Sequence, residues 1–226
     1  MDELHEKIVL ACRIMDGTGL TEGFGHVSAR IPGTDRVLIT PAMGPGRVTP
    51  DVLLTFTLDG KCLDAQTAIP PALETPMHLA VYRARSDVGA ICRTHSHYAV
   101  IMGAAGKPVH PCHGFGGMLG PLVPVHPETD LIVNAEMGDQ VAKALDGYTA
   151  LLLRGNGALV TGADVERAVV HAIYLEEAAR IELSALAVGG AMLFTPDELR
   201  NRQRWYGNEA RRAWDYYVWK YARESQ

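Results

Sequence analysis

The chain has 226 residues, 47% of them hydrophobic, which is enough to bury one sizeable core and favours a single domain over 1–226. A formal net charge of -5, with no basic tail or lysine-rich stretch, argues against nucleic acid or an anionic membrane as the main partner. The N-terminus, Met1-Asp2-Glu3-Leu4-His5-Glu6, is charged from the outset and no apolar run reaches the roughly 20 residues of a membrane span, so a cytoplasmic protein is expected.

Residues Glu3 to Met15 carry helical periodicity, with Ile8, Ala11, Cys12 and Met15 on one face, and stop at Gly17 and Gly19. Three short β-branched runs follow, around 25–30, 36–40 and 53–58, separated by Pro, Gly and Asp, and these predict an antiparallel meander. The Gly- and Pro-rich stretch from Thr40 to Arg47 predicts a loop at the sheet edge. Thr75-Pro76 reads as N-cap and first helical residue of a helix running to Arg85, with Glu74 just before it. Val88 to Cys92 reads as a buried strand that leads into Arg93-Thr94-His95-Ser96-His97, and a helix from Tyr98 to Ala105 comes next. Residues 107–127 show no sustained period, and a loop of this length is often functional. Asp130 to Leu145 predicts a helix, and Thr149–Arg154 and Ala158–Thr161 predict a hairpin with an Asn156-Gly157 tip. A long amphipathic helix is expected from Asp164 to Val188, and Thr195-Pro196-Asp197-Glu198 has the capping-box form for a final helix. The sum predicts an α/β fold with three α/β/α layers and a mostly antiparallel central sheet. Cys12, Cys62, Cys92 and Cys112 lack CxxC spacing and read as free thiols.

At the end of a strand, His95 and His97 stand at i and i+2 and can present two imidazoles to one point, with Glu74 as a carboxylate brought back by the preceding helix. Imidazole nitrogen and carboxylate oxygen converging from rigid elements suit a divalent metal, and hydrogen-bonded surface histidines are the plainer alternative. His26 is either a substrate-facing donor or a surface residue. His113 is either a proton donor or a loop hydrogen-bonding group. His78 and His171, among apolar helical neighbours, read as packing histidines. Arg47, Arg93 and Arg154 are possible carboxylate clamps, with Arg47 ranked first.

The order Gly-x-Val-Ser-x-Arg, Ile-Thr-Pro before a Gly loop, Val-Thr-Pro-Asp, Leu-Asp-Gly, Glu-x-x-x-His, Thr-His-Ser-His and Arg-Gly-Asn-Gly-Ala-Leu-Val-x-Gly resembles the class II aldolase/adducin family from about Glu3 to Val188. The resemblance implies C4-type homotetramers, with the C-terminal helices (about 195–226) contributing to the interface. It also implies a divalent metal (Mn, Zn, Fe or Co) between subunits, ligated at His95, His97 and Asn156, with Glu74 as ligand or acid/base group. The family's sugar-phosphate enzymes carry an Asn, a Ser-Gly and paired serines where this chain has His26, Ala42-Met43 and Ala72-Leu73. Without those donors a phosphorylated substrate is not expected. Gly23 to Arg30 and His113 to Gly120 resemble instead the decarboxylase branch.

That resemblance implies a carboxy-lyase: a metal-dependent, non-oxidative decarboxylase of a hydroxylated aromatic or heteroaromatic carboxylate such as a dihydroxyphthalate. His26, Ser28 and Arg47 would bind substrate, and Glu74 and His113 would move protons. An aldolase or epimerase acting on a non-phosphorylated hydroxy-oxo acid is the alternative enzyme, and a non-catalytic adducin-like binding protein is the alternative outside enzymology. Asn156 stands at the family's last metal histidine. Asn156 or a water serves a Mn or Fe site, another histidine substitutes for it, it is an inactivating substitution, or it is simply an Asn-Gly turn.

Overall fold

The computed structural model describes residues 3–64, 69–204 and 206–222, the side chain of Tyr206 excepted. Seven strands form one sheet in the order β3-β2-β1-β4-β7-β6-β5. The strands are β1 (His26–Arg30), β2 (Arg36–Ile39), β3 (Leu54–Thr57), β4 (Ala90–Thr94), β5 (Val125–His126), β6 (Ala150–Leu153) and β7 (Ala158–Gly162). The helices are α1 (Glu3–Gly17), α2 (Thr75–Ala84), α3 (His97–Ala104), α4 (Ala135–Leu145), α5 (Val165–Ala187), α6 (Pro196–Gln203) and α7 (Tyr206–Tyr221).

Strand alternation sorts side chains into two cores. Val27, Ala29, Ala90 and Cys92 join α1 and α5 on one face, while Ile91, Leu151 and Leu159 join α2 and α4 on the other. Ile91 and Leu151 are fully buried, each stabilising the fold by about 2 kcal/mol through apolar burial. The expected three layers are therefore present, and the sheet is antiparallel at every pairing except β5 with β6, which is parallel.

Several boundaries differ from the sequence expectation. Glu74, not Thr75, occupies the N-cap position of α2, and the Thr75 hydroxyl donates instead to the Ala72 carbonyl at 2.7 Å. Helix α4 starts after Asn134, whose side chain accepts the Met137 N–H at 3.0 Å, five residues later than the pattern suggested. The expected final helix is two, α6 and α7. The Thr195–Glu198 capping box opens α6 with both of its hydrogen bonds made. In the aromatic C-terminal run, Trp214 is buried and Tyr216 and Trp219 are about half exposed, while Trp205 lies outside the described residues. The four cysteines are free, Cys12 and Cys92 in the core. Among the described residues no helix is long and apolar enough to cross a membrane.

The largest revision concerns the histidine pair. Strand β4 runs on through Arg93 and ends at Thr94, Ser96 is the N-cap of α3, and His97 is the first residue of that helix. Strand alternation therefore does not govern His95 and His97. They leave the sheet on a strand-to-helix turn, His95 half-buried and His97 exposed.

Candidate active site

The two-residue period of β1 puts His26, Ser28 and Arg30 on the face covered by α2. There they meet His78 and Tyr82, one helical turn apart. Ser28 is fully buried, with its hydroxyl 2.7 Å from His78 Nδ1 and 2.9 Å from the Tyr82 hydroxyl. The Arg30 guanidinium lies over the Tyr82 ring at 4.9 Å and donates to the Val88 carbonyl at 2.9 Å. Ser28 thus lies inside a buried polar seam, its hydroxyl in contact with His78 and Tyr82. The His26 ring meets His78 edge-on at 5.8 Å. Burial, then the neighbouring Arg93 and His95, lowers the pKa of His26 to about 3. Burial holds His78 well below the ordinary range as well.

Arg93 pairs in register with His26 and points to the same face. It is fully buried, and its Nε–H donates to Glu74 Oε2 at 3.0 Å while its Nη1 bonds the Thr94 carbonyl. Arg93 therefore clamps Glu74, and its Nη2 is left without a partner among the described residues. Glu74 is itself buried, and its second oxygen, Oε1, has no partner among the described residues. Beside this pair, His95 is lowered to about 4 by burial and by Arg93, so its imidazole is neutral at physiological pH. The Phe24 ring lies 6.3 Å from it at 62°, itself 78% exposed, and Leu73, next to Glu74, is 68% exposed. No sequence pattern marks Phe24 and Leu73 individually as site residues, because neither residue type is itself reactive.

The β6–β7 turn brings Asn156 to the same place. Pairing of Thr94 with Ala158 carries the turn alongside the residues that follow β4. Gly157, at φ +84°, lies so close that a Cβ there would stand 2.0 Å from the Thr94 carbonyl oxygen and 2.9 Å from His95 Cα. The positions Glu74, His95, His97 and Asn156 thus come from adjoining elements. The donors suit a divalent ion in kind: a buried carboxylate oxygen with no partner, a neutral imidazole, a second imidazole and an amide. Among the described residues, no three or more His, Cys, Asp or Glu side chains are gathered around one point where a metal could be held.

His113 is elsewhere. Its ring sits in the loop before the short 3-10 turn at Gly116–Leu119, among the charges of Glu177, Arg202 and Arg180, and both ring nitrogens are shielded without a partner among the described residues. Burial chiefly lowers its pKa below the ordinary value. The same loop is pinned by Glu182, whose buried carboxylate accepts the His110 backbone N–H at 2.7 Å and faces His110 Nδ1 at 3.1 Å. Arg47 is exposed in a 3-10 turn at Pro45–Arg47, and Arg154 is exposed at the start of the β6–β7 turn. His171 is a packing histidine whose Nδ1 lies 2.6 Å from the Thr161 carbonyl oxygen.

A seven-stranded α/β/α domain with these positions at the carboxyl end of its middle strand defines the class II aldolase fold. Residues 6–183 match the model of the Class II Aldolase and Adducin N-terminal domain, and the chain belongs to that family. It is 30% identical over 208 residues to a 3,4-dihydroxyphthalate decarboxylase of Arthrobacter keyseri, covering 85% of this chain and 83% of the relative. It is 29% identical over 171 residues to a 5-methylthioribulose-1-phosphate/5-deoxyribulose-1-phosphate aldolase of Escherichia coli, covering 73% and 76%. Among solved structures, an L-fuculose 1-phosphate aldolase superposes with a TM-score of 0.83 at 22% identity, over 91% of this chain and 97% of that one. The decarboxylase and aldolase relatives are lyases.

Proposed function

We propose that this chain is a divalent-metal-dependent, non-oxidative decarboxylase of a hydroxylated aromatic carboxylate of the dihydroxyphthalate kind. The observation that carries the reading is the surface around Glu74 and His95. Phe24, beside His95, and Leu73, next to Glu74 in the chain, expose apolar area there. Such a surface suits an aromatic ring and offers little to a phosphate. The 3,4-dihydroxyphthalate decarboxylase relatives supply the substrate class.

Glu74, His95 and His97, with Asn156 at the turn tip, would hold the metal, which when bound supplies Lewis acidity to chelating ring oxygens. The chain's own residues do the rest. Phe24 offers its face to the ring, and Arg93 fixes the Glu74 carboxylate so that a single oxygen is free to bind or to move a proton. Delivery of a proton to the ring carbon that carries the leaving carboxylate permits loss of CO2 and restores aromaticity. His113 lies among other charges than the Glu74 group, so its proton-donor role is assigned to the site of a neighbouring copy in a homotetramer.

The test is product analysis after metal-loaded protein is incubated with a panel of ortho-hydroxy aromatic mono- and dicarboxylates. CO2 and the decarboxylated ring are expected from at least one dicarboxylate. No CO2 from any member, with cleavage of a hydroxy-oxo acid in its place, would assign the chain to the aldolases.

A further inference from the structure

Helix α3, whose first residue is His97, is not capped by its own N-cap residue. A serine in that position ordinarily turns its hydroxyl onto the N–H two or three residues on. The Ser96 hydroxyl makes no such bond and lies 3.4 Å from the Thr94 hydroxyl instead. The two amides it would serve donate to Glu176 of α5: Tyr98 N–H to Oε1 at 2.9 Å and Ala99 N–H to Oε2 at 3.0 Å. These partners lie 78 and 77 residues apart in the chain, so the bond is a tertiary device and not a local cap.

Glu176 is well anchored for such a task. Helices α3 and α5 share the core that also holds α1, and Leu175 and Ala179, near Glu176 on α5, are fully buried. The neighbouring acid, Glu177, is spent on Arg180 at 2.6 Å. On the other side of the turn, the His95 N–H donates to the Leu20 carbonyl at 2.9 Å. The stretch His95-Ser96-His97 is therefore tied down at both ends, by backbone at one and by a carboxylate at the other.

Charge gives that carboxylate a second effect. A helix N-terminus carries about half a positive charge, which repels a cation held on its first residue. A carboxylate bridging the first free amides offsets this charge while making charge-assisted hydrogen bonds. The group that would hold the cation already contains a buried carboxylate oxygen, Glu74 Oε1, without a partner among the described residues.

From these observations we infer that Glu176 is a positioning residue for the metal group: it fixes the turn that presents His95 and His97, and it neutralises the positive end of α3 beside a bound cation. The inference rests on the metal reading proposed above.

The experiment measures zinc and manganese affinity of the full chain by competition with a chromophoric chelator, with amide hydrogen exchange at Tyr98 and Ala99 and thermal unfolding read on the same samples. Glu176→Gln keeps the shape and one acceptor oxygen but removes the charge, and Glu176→Ala removes both. Glu176→Ala should speed exchange at both amides and weaken metal binding about tenfold or more. Glu176→Gln should keep a Tm close to that of the parent chain and still weaken metal binding about fivefold. A merely structural cap predicts another pattern, in which the Tm falls in Glu176→Ala and recovers in Glu176→Gln while metal affinity stays the same in all three proteins. That pattern, or exchange at Tyr98 and Ala99 unchanged in Glu176→Ala, would overturn the inference and leave the metal reading standing. A parent chain that binds neither metal would remove the metal reading and this inference together.

Discussion

Arg93 donates its Nε–H to Glu74 Oε2 at 3.0 Å with both side chains buried, leaving Glu74 Oε1 at the head of α2 as a carboxylate oxygen without a partner among the described residues. A buried pair of this kind is held in place by its surroundings, and removing one member strands the other's charge. Arg93→Met should therefore cost about 3–5 kcal/mol of stability. Urea denaturation checks this, and a loss comparable to that of an exposed ion pair, under about 1 kcal/mol, would show that the pair is solvated.

The turn that presents Asn156 rests on two glycines with different demands. Gly155 is at φ +71° with open space around it, while Gly157 is at φ +84° against the Thr94 carbonyl. Gly155→Ala meets only the left-handed backbone penalty, about 1 kcal/mol. Gly157→Ala must also push the turn off His95 and should cost about 3 kcal/mol or more. Thermal unfolding of the two variants side by side tests the difference, and equal shifts would mean that the turn does not press on His95.

Exchange of ligand type at the turn tip gives a third test. An amide oxygen is a poor donor to zinc and an imidazole a good one. Asn156→His should tighten zinc binding by about tenfold or more. Competition with a chromophoric chelator reads this directly. Unchanged affinity would place Asn156 outside the metal site.

Acid should unfold the protein through its buried imidazoles. Burial lowers His171 to about 4 and holds His78 well below the ordinary range. Below pH 6.5 the unfolded chain takes up protons that the folded chain refuses, so this stability is fully present above pH 6.5 and is lost as pH falls toward 4. For His171 the loss is on the order of 3 kcal/mol. A Tm profile should fall across that window, and His171→Phe should flatten it. A profile flat from pH 6.5 to 4 would contradict the burial of these rings as neutral groups.

Much of this architecture is legible in the residues because it is local. The α1 periodicity, the β1–β2–β3 meander, the β6–β7 hairpin and the Thr195–Glu198 box depend on neighbours a few positions apart. What escaped depends on distance or on weak local cues. Strand β5 has two residues and pairs in parallel with β6, so no alternation is long enough to mark it. Asn134 caps α4 although Asp130 begins the polar run, since either side chain suits a cap and tertiary packing decides between them. The partners of Ser28, His78 and Tyr82, lie 50 and 54 residues away, so no local pattern reveals them. Arg93 reads as a possible carboxylate clamp, and only the fold shows that a carboxylate it holds is Glu74, 19 residues upstream. His95 and His97 were found by spacing, yet the strand stops one residue before them.

The central claim is tested most directly with 3,4-dihydroxyphthalate carrying a labelled carboxylate, incubated with the full chain loaded with manganese, zinc, iron or cobalt and, in parallel, with the chelated protein. The account predicts label appearing as CO2 in step with the decarboxylated ring from a metal-loaded sample, with release falling to background after chelation. Label that stays on the ring with every metal, or equal release from the chelated protein, would contradict it.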